Sequence, residues 1–96
     1  MKRKIWKVYG LYDPRDGELR YVGETDNTTR RFKTHLAGIL LWNRSPCMDW
    51  LMDLTIIGKK PQLHVLQEVN SRKESKTCET YWIEFFTKEG CRLTNV

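Results

Sequence analysis

A short stretch near the start of the chain decides the fold: residues 5–24 read IWKVYGLYDPRDGELRYVGE. Its first part, 5–13, is rich in aromatic and β-branched residues, and its last part, 18–24, has a similar strand-forming character. A proline and an Asp-Gly pair lie between the two parts and are typical of a tight turn. The stretch therefore predicts a β-hairpin.

The loop length decides which side chains of the hairpin share a face. A two-residue loop pairs Tyr12 with Tyr21, whereas a four-residue loop pairs Tyr12 with Leu19 and leaves Tyr21 diagonal to it. Unless a β-bulge intervenes, either register puts both phenols on one face, together with Gly10 and Gly23. Glycine inside a strand often marks a close approach, so this face is predicted to be either the floor of a ligand site or an aromatic pair packed into the core.

Helical periodicity and capping signals organise the rest of the chain. The first helix is predicted from the N-cap candidates at 26–29 to about Leu41, and the second from Ser45 to Gly58. A strand over 62–69 and a helix from the capping box at 71–74 to Gly90 follow. The order β-β-α-α-β-α predicts an α+β fold, a three-stranded antiparallel sheet flanked by three helices, in a single domain over residues 1–96.

Composition and charge exclude several classes of protein. The chain is 40% hydrophobic and 30% charged, which excludes a disordered chain, and 17 Lys and Arg against 12 Asp and Glu favour a polyanionic partner. No apolar run approaches the roughly 18 residues of a membrane span, so no membrane partner is expected. Three widely spaced cysteines fit a reduced, cytoplasmic protein and lack the spacing of a zinc site.

Three polar side chains outside the hairpin are candidates for chemistry. Arg31 and His35 are four residues apart and therefore share one helix face beside a core stripe. Glu79 lies in the aromatic run of the last helix and is a candidate metal ligand, because divalent ions such as Mg²⁺ prefer carboxylate oxygens. The alternative for Arg31 and His35 is that they are two solvated residues on a basic helix. The alternative for Glu79 is that it forms the polar edge of a helix whose other face packs on the core.

Together these residues form a pattern that resembles the GIY-YIG nuclease superfamily. In chain order the pattern consists of Gly10-Leu11-Tyr12, Tyr21-Val22-Gly23, Arg31, His35, Glu79 ahead of Tyr81-Trp82-Ile83, and Asn95. Each triplet departs from the family's letters only by an aliphatic exchange at its middle position. The resemblance covers residues 8–95 and implies the three-stranded α+β fold that the local signals also predict.

The resemblance further implies a phage or bacterial endonuclease that hydrolyses DNA phosphodiesters with a divalent ion, Mg²⁺ or Mn²⁺, by nicking or by double-strand cleavage. The alternative is a nucleic-acid-binding module on the same fold that no longer cuts. A protein-binding role through Trp6 and Trp42 is a third hypothesis.

Three of the site residues carried over from the family would handle charge. Glu79 would hold one metal ion with water filling most of its shell. Arg31 would clamp a phosphate oxygen. Asn95 would orient Glu79 or the water molecules on the metal.

The other three would handle the attacking water and its proton. Tyr12 matches the family's general base or water-positioning group, and a phenol needs nearby positive charge before it acts as a base at neutral pH. Tyr21 would donate a hydrogen bond to the phosphate or the water. His35 would assist proton transfer or hydrogen-bond Tyr12.

Basic residues outside the motif are predicted to contact the DNA backbone, with little sequence preference. The candidates are Arg20, Arg30, Lys33 and Arg44, with the basic residues 2–4; each alone has the alternative of a solvated charge. A homodimer or a larger partner would then supply the choice of target.

Overall fold

The computed structural model describes residues 4–38 and 45–95. Six elements follow one another: β1 (Trp6–Tyr12), β2 (Leu19–Thr25), α1 (Thr28–Gly38), α2 (Pro46–Ile56), β3 (Gln62–Val69) and α3 (Arg72–Lys88). This order confirms the predicted β-β-α-α-β-α arrangement and the α+β class. Several predictions lie outside the described residues: the end of the first helix at Leu41, the role of Trp42, and the DNA contacts by Lys2, Arg3 and Arg44.

The three strands form one antiparallel sheet in the order β2-β1-β3. In the hairpin, Tyr12 pairs with Leu19, which is the pairing predicted for a four-residue loop, but Leu11 pairs with Tyr21. Arg20 is therefore an extra residue in β2, a β-bulge. Because each residue along a strand changes face, the bulge moves Tyr21 to the face opposite Tyr12. The prediction that these two phenols share a face is wrong.

The same register separates the two glycines. Gly10 pairs with Val22, whereas Gly23 pairs with Tyr9. Gly23 therefore lies on the Tyr21 face of the sheet and Gly10 on the Tyr12 face, so the prediction of one shared glycine face is also wrong.

The sheet has a different apolar layer on each face. One layer is covered by α2, with Phe32 of α1 at its margin; its buried members are Tyr9, Leu11, Cys47, Trp50, Leu51 and Leu54. The other layer is covered by α3 and is built on Val8, Leu19 and Val22, against which Cys78, Trp82, Ile83 and Phe86 pack. The face that carries Tyr9 and Tyr21 is thus the one that meets the α1–α2 side of the molecule.

The helices begin at the polar residues that the sequence marks. Asn27 accepts from the Arg30 amide at 3.0 Å. Ser45 and Ser71 each accept from the amide three residues later, at 3.2 Å. These caps satisfy amides that have no partner within the helix. Within residues 4–38 and 45–95, none of the helices combines the length and the apolar composition of a membrane span.

Candidate active site

Two tyrosines and a histidine meet on the α1 side of the sheet. The Tyr9 hydroxyl and His35 Nε2 are 2.7 Å apart, in a hydrogen bond that joins β1 to α1. The Tyr21 ring packs edge-on against His35 with centroids 5.2 Å apart, and lies 6.2 Å from the Tyr9 ring. His35 is 6% exposed and Tyr9 is fully buried, so this cluster sits at the boundary of the core.

Gly23 makes room for this arrangement. A Cβ atom at Gly23 would lie 2.5 Å from the Tyr9 hydroxyl oxygen and 2.9 Å from Cε2 of Tyr21. The phenol ring of Tyr9 therefore crosses the strand over a position where any side chain would block it. Gly23, the last residue of the second triplet, is therefore required because it has no Cβ atom. Its small size leaves room for the rings of both Tyr9 and Tyr21.

Burial keeps all three groups of the cluster uncharged at neutral pH. Desolvation and the neighbouring Tyr21 raise the pKa of Tyr9 well above its usual value, and desolvation likewise raises the pKa of Tyr21. Desolvation, with a smaller contribution from the charge of Arg31, lowers the pKa of His35 to about 4. A neutral imidazole beside a protonated phenol leaves one arrangement for their bond: Tyr9 donates and Nε2 of His35 accepts.

Arg31 supplies the positive charge of the site. It lies one helical turn before His35, and its charge acts to lower the pKa of both phenols, although burial outweighs it. The side chain is exposed, and it makes no salt bridge with any carboxylate of the described residues. An exposed guanidinium without an acidic partner, beside two hydroxyl groups, suits a phosphate group.

Glu79 supplies the negative charge. It lies on α3 and is half-buried. Desolvation raises the pKa of its carboxyl, and the charge of Glu24 acts in the same direction, while Lys76 and Arg31 oppose them. Its own charge acts to raise the pKa of Tyr21, so Glu79 is part of the same electrostatic cluster. Within residues 4–38 and 45–95, no three His, Cys, Asp or Glu side chains form a metal-binding group.

The structure does not bring Tyr12 into this cluster. Its ring lies on the other face of the sheet, edge-on to His64 with centroids 5.2 Å apart. It packs with the α3 layer, and burial together with Cys91 raises its pKa. Tyr9, which sequence reasoning missed, takes the place expected for Tyr12. A signal was present, because Val8-Tyr9 is a second aliphatic–tyrosine pair in the same strand.

Asn95 is bound to the sheet and not to the acidic residue. Its side-chain oxygen accepts from the Val22 amide at 2.8 Å, and its nitrogen donates to the Val22 carbonyl at 2.7 Å. Both polar atoms are thus used to tie the C-terminal segment to the outer edge of β2. The sequence predicted that Asn95 orients Glu79 or metal-bound water. In the structure its side chain instead holds the backbone of Val22, which lies between Tyr21 and Gly23.

The predicted DNA contacts have different surroundings. Arg20 is turned into the hairpin loop, where it pairs with Asp16 at 3.0 Å and with Glu18 at 3.4 Å, so its charge is already balanced. Arg30 pairs with Asp26 at 2.7 Å but stays largely exposed. Lys33 is exposed and lines an open cleft of about 300 Å³ together with Thr28, Thr29, Phe32 and Leu63.

A family model for the GIY-YIG catalytic domain matches residues 5–90. Neither the curated proteins nor the solved structures gave a significant match. The matched range includes the hairpin, Arg31, His35 and Glu79, and it covers nearly the whole chain. This protein therefore belongs to the GIY-YIG nuclease superfamily.

Proposed function

We propose that this protein is a divalent-metal-dependent endonuclease that hydrolyses phosphodiester bonds of DNA. The observation that carries the proposal is the cluster of Tyr9, Tyr21 and His35, in which the charges of the exposed Arg31 and of the half-buried Glu79 both act on Tyr21. Hydrolysis needs an attacking water that loses its proton, and it needs positive charge on the phosphate. This cluster offers a group for each task.

We assign the proton transfer to Tyr9 and His35. As the water oxygen bonds to phosphorus and the ester P–O bond breaks, the Tyr9 oxygen takes the proton from water and passes its own proton to Nε2 of His35. The imidazole is neutral and already accepts this bond, so no group has to ionise beforehand. The phenol thus relays a proton and does not have to be a phenolate beforehand. This matters because the raised pKa of Tyr9 makes phenolate scarce at neutral pH.

Arg31 and Tyr21 bind the phosphate in this proposal. The guanidinium places two N–H donors on phosphate oxygens, and the half-buried Tyr21 hydroxyl donates to a third. Tyr9 is fully covered in the free protein. We infer that Arg31 turns from the phenols to the phosphate on binding and thereby opens Tyr9 to the attacking water.

Glu79 fits the role of metal ligand. Its carboxylate is partly desolvated and lies near a second acid, Glu24, so a nearby cation would stabilise its charged form. One carboxylate with water in the remaining positions is a coordination that Mg²⁺ accepts, and Mn²⁺ takes the same oxygen ligands. The ion, when bound, would stabilise negative charge on the scissile phosphate and the leaving oxygen.

Contacts to the rest of the DNA would come from exposed cations on α1. Lys33 and Arg30 are exposed there, whereas the surroundings of Arg20 favour a structural role in the hairpin loop. We propose that such contacts bind phosphates with little sequence preference. A second copy of the chain or a larger partner that selects the target stays a prediction.

Supercoiled plasmid with Mg²⁺ tests this function. We expect the wild-type protein to convert it to nicked or linear DNA, EDTA to stop the reaction, and Glu79→Gln to bind DNA without cutting it. Glu84→Gln is the matched control, since Glu84 is an exposed acid on the same helix. A wild-type protein that binds the plasmid in a gel-shift assay but leaves it intact with Mg²⁺ and with Mn²⁺ would favour the inactive binding module.

A further inference from the structure

A buried acid joins the back of the hairpin to α3. The Glu24 side chain is only 7% exposed, and its carboxylate accepts a hydrogen bond from the Ser75 hydroxyl at 3.0 Å; the hydroxyl shares this proton with the Arg72 carbonyl at 2.8 Å. The same carboxylate forms an ion pair with Lys76 at 2.9 Å. Ser75 is fully buried, so the contact lies inside the interface between β2 and α3. We call Glu24, Ser75 and Lys76 the Glu24 clamp.

The clamp lies next to two parts of the candidate active site. Glu24 directly follows Gly23, over which the Tyr9 ring passes. Ser75 lies four residues before Glu79 in α3, so both side chains share one face of the helix. The contact therefore joins the strand that carries the glycine to the helical turn that precedes the acid.

The other contacts between α3 and the sheet do not by themselves fix the position of the Glu79 turn relative to Gly23 in β2. Most other contacts of α3 with the sheet are apolar: Cys78, Trp82, Ile83 and Phe86 pack on the layer around Val22. One further hydrogen bond ties α3 to β3 instead, from Nε1 of Trp82 to the side-chain oxygen of Gln67 at 3.0 Å. Apolar packing is not directional, and it tolerates small shifts along or around a helix that a pair of hydrogen bonds at fixed distances does not tolerate. Among the described residues, the clamp supplies the polar side-chain contacts between α3 and β2, the strand that carries Gly23.

The electrostatic state of Glu24 fits this role. Burial would raise the pKa of its carboxyl, but the bonds from Lys76 and Ser75 outweigh burial and lower it. Glu24 therefore stays ionised, and both of its bonds are charge-assisted. The same Lys76 lies near Glu79 and acts to lower the pKa of that acid.

We propose that Glu24 is a positioning residue for Glu79: through Ser75 and Lys76 it fixes the height and rotation of α3, and so holds the metal-ligating carboxylate toward Tyr21 and Arg31. This inference rests on the proposed function. It adds a residue outside the recognised motif, on the opposite face of the sheet from the phenols. Partners that orient a metal ligand in this way typically change metal affinity or activity about 10- to 100-fold when they are lost.

The test compares Glu24→Gln and Ser75→Ala with Thr77→Ala. Thr77 lies on the exposed side of α3, where its hydroxyl donates to the Lys73 carbonyl of the same helix at 3.2 Å. We expect the two clamp variants to lower kcat on plasmid DNA about 10- to 100-fold and to raise the half-saturating Mg²⁺ concentration, with KM for DNA unchanged. The double variant should lose less than the product of the two single losses, because both changes break one contact. Thr77→Ala should cut like wild type.

A second measurement does not depend on cutting. Mn²⁺ held by Glu79 should broaden the NMR signals of nearby amides, including the Gly23 amide, and Glu24→Gln should weaken the broadening at Gly23 relative to that at residues next to Glu79. Equal broadening patterns in wild type and variant would overturn the positioning role, and so would wild-type kcat and Mg²⁺ dependence in both clamp variants. If Glu24→Gln weakens the broadening at Gly23 but the wild type leaves DNA intact, the nuclease proposal is overturned and the positioning role is supported.

Discussion

Replacing Gly23 by alanine tests how the hairpin builds the candidate active site. The added Cβ would lie 2.5 Å from the Tyr9 hydroxyl oxygen and 2.6 Å from Cζ of the same ring, whereas ordinary contacts begin at 3.4 Å. The phenol must therefore shift by about 1 Å, and since Tyr9 is fully buried, its neighbours must shift too. Overpacking of this kind destabilises a protein by about 1–3 kcal/mol, and a 1 Å displacement of a catalytic group can lower the rate about 100-fold.

The assay is the single-turnover rate of plasmid cleavage, measured well below the melting temperature of each variant. Gly58→Ala is the control: Gly58 has φ +72 in open space at the end of α2, so alanine there costs about 1–2 kcal/mol of stability without touching the site. We expect Gly23→Ala to lose about 100-fold in rate and Gly58→Ala to keep the wild-type rate. Equal rates for Gly23→Ala and wild type would refute the placement of Tyr9 in the reaction.

Three further predictions concern the phenols, the histidine and the DNA contacts. Tyr9→Phe should abolish plasmid cleavage while Tyr12→Phe retains it; the opposite order in a cleavage assay would return the catalytic role to Tyr12. The pKa of His35 is about 4 in the folded chain against about 6.5 in the unfolded chain. Between these two pH values the unfolded state binds more protons than the folded state, so the free energy of unfolding falls as the pH is lowered. The loss between pH 6.5 and pH 4 amounts to about 3 kcal/mol. Urea titrations at several pH values should show this loss, and His35→Gln should remove it. Lys33→Gln should lower the slope of the logarithm of the DNA-binding constant against the logarithm of the salt concentration by about one, the value of one phosphate contact. Arg20→Gln should leave this slope unchanged. A lower slope for Arg20→Gln in binding titrations would show that Arg20 contacts DNA.

The order of the elements, and where most of them begin to within one or two residues, could be predicted because their signals are local. Ser45 and Ser71 cap helices through amides three residues away, and the strand predicted over 62–69 is the strand observed, Gln62–Val69. Such signals depend on neighbours along the chain, which the sequence displays directly. The composition of the candidate site was also accessible, because the order of Tyr21, Arg31, His35 and Glu79 follows the family pattern. That residues 1–96 form a single domain stays a prediction.

The choice between Tyr9 and Tyr12 was not accessible from local signals, because it depends on one extra residue. Arg20 forms the bulge in β2, and its side chain is held by acids of the loop, among them Asp16 and Glu18. Those contacts form only after the hairpin has closed. A shift of one residue moves the following side chains of a strand to the opposite face of the sheet. If the bulge is ignored, the alternation of side chains therefore puts Tyr21 on the face of Tyr12 and not on that of Tyr9.

The role of Asn95 depended on a contact between distant parts of the chain. Its amide pairs with the backbone of Val22, 73 positions earlier, in the manner of an additional strand residue. An asparagine near a chain end offers no signal for such a partner, whereas the family pattern suggested a place near Glu79. The bond secures Val22 between Tyr21 and Gly23, and thereby supports the site from the edge of the sheet.

The rate of plasmid cleavage by wild type and by Glu79→Gln, with Mg²⁺ and with EDTA, tests the central claim most directly. We expect wild type to cut only with the metal and Glu79→Gln to lose about 100-fold or more while it still binds DNA and melts cooperatively. Cleavage by Glu79→Gln at the wild-type rate, or cleavage by wild type in EDTA, would contradict the account of this site.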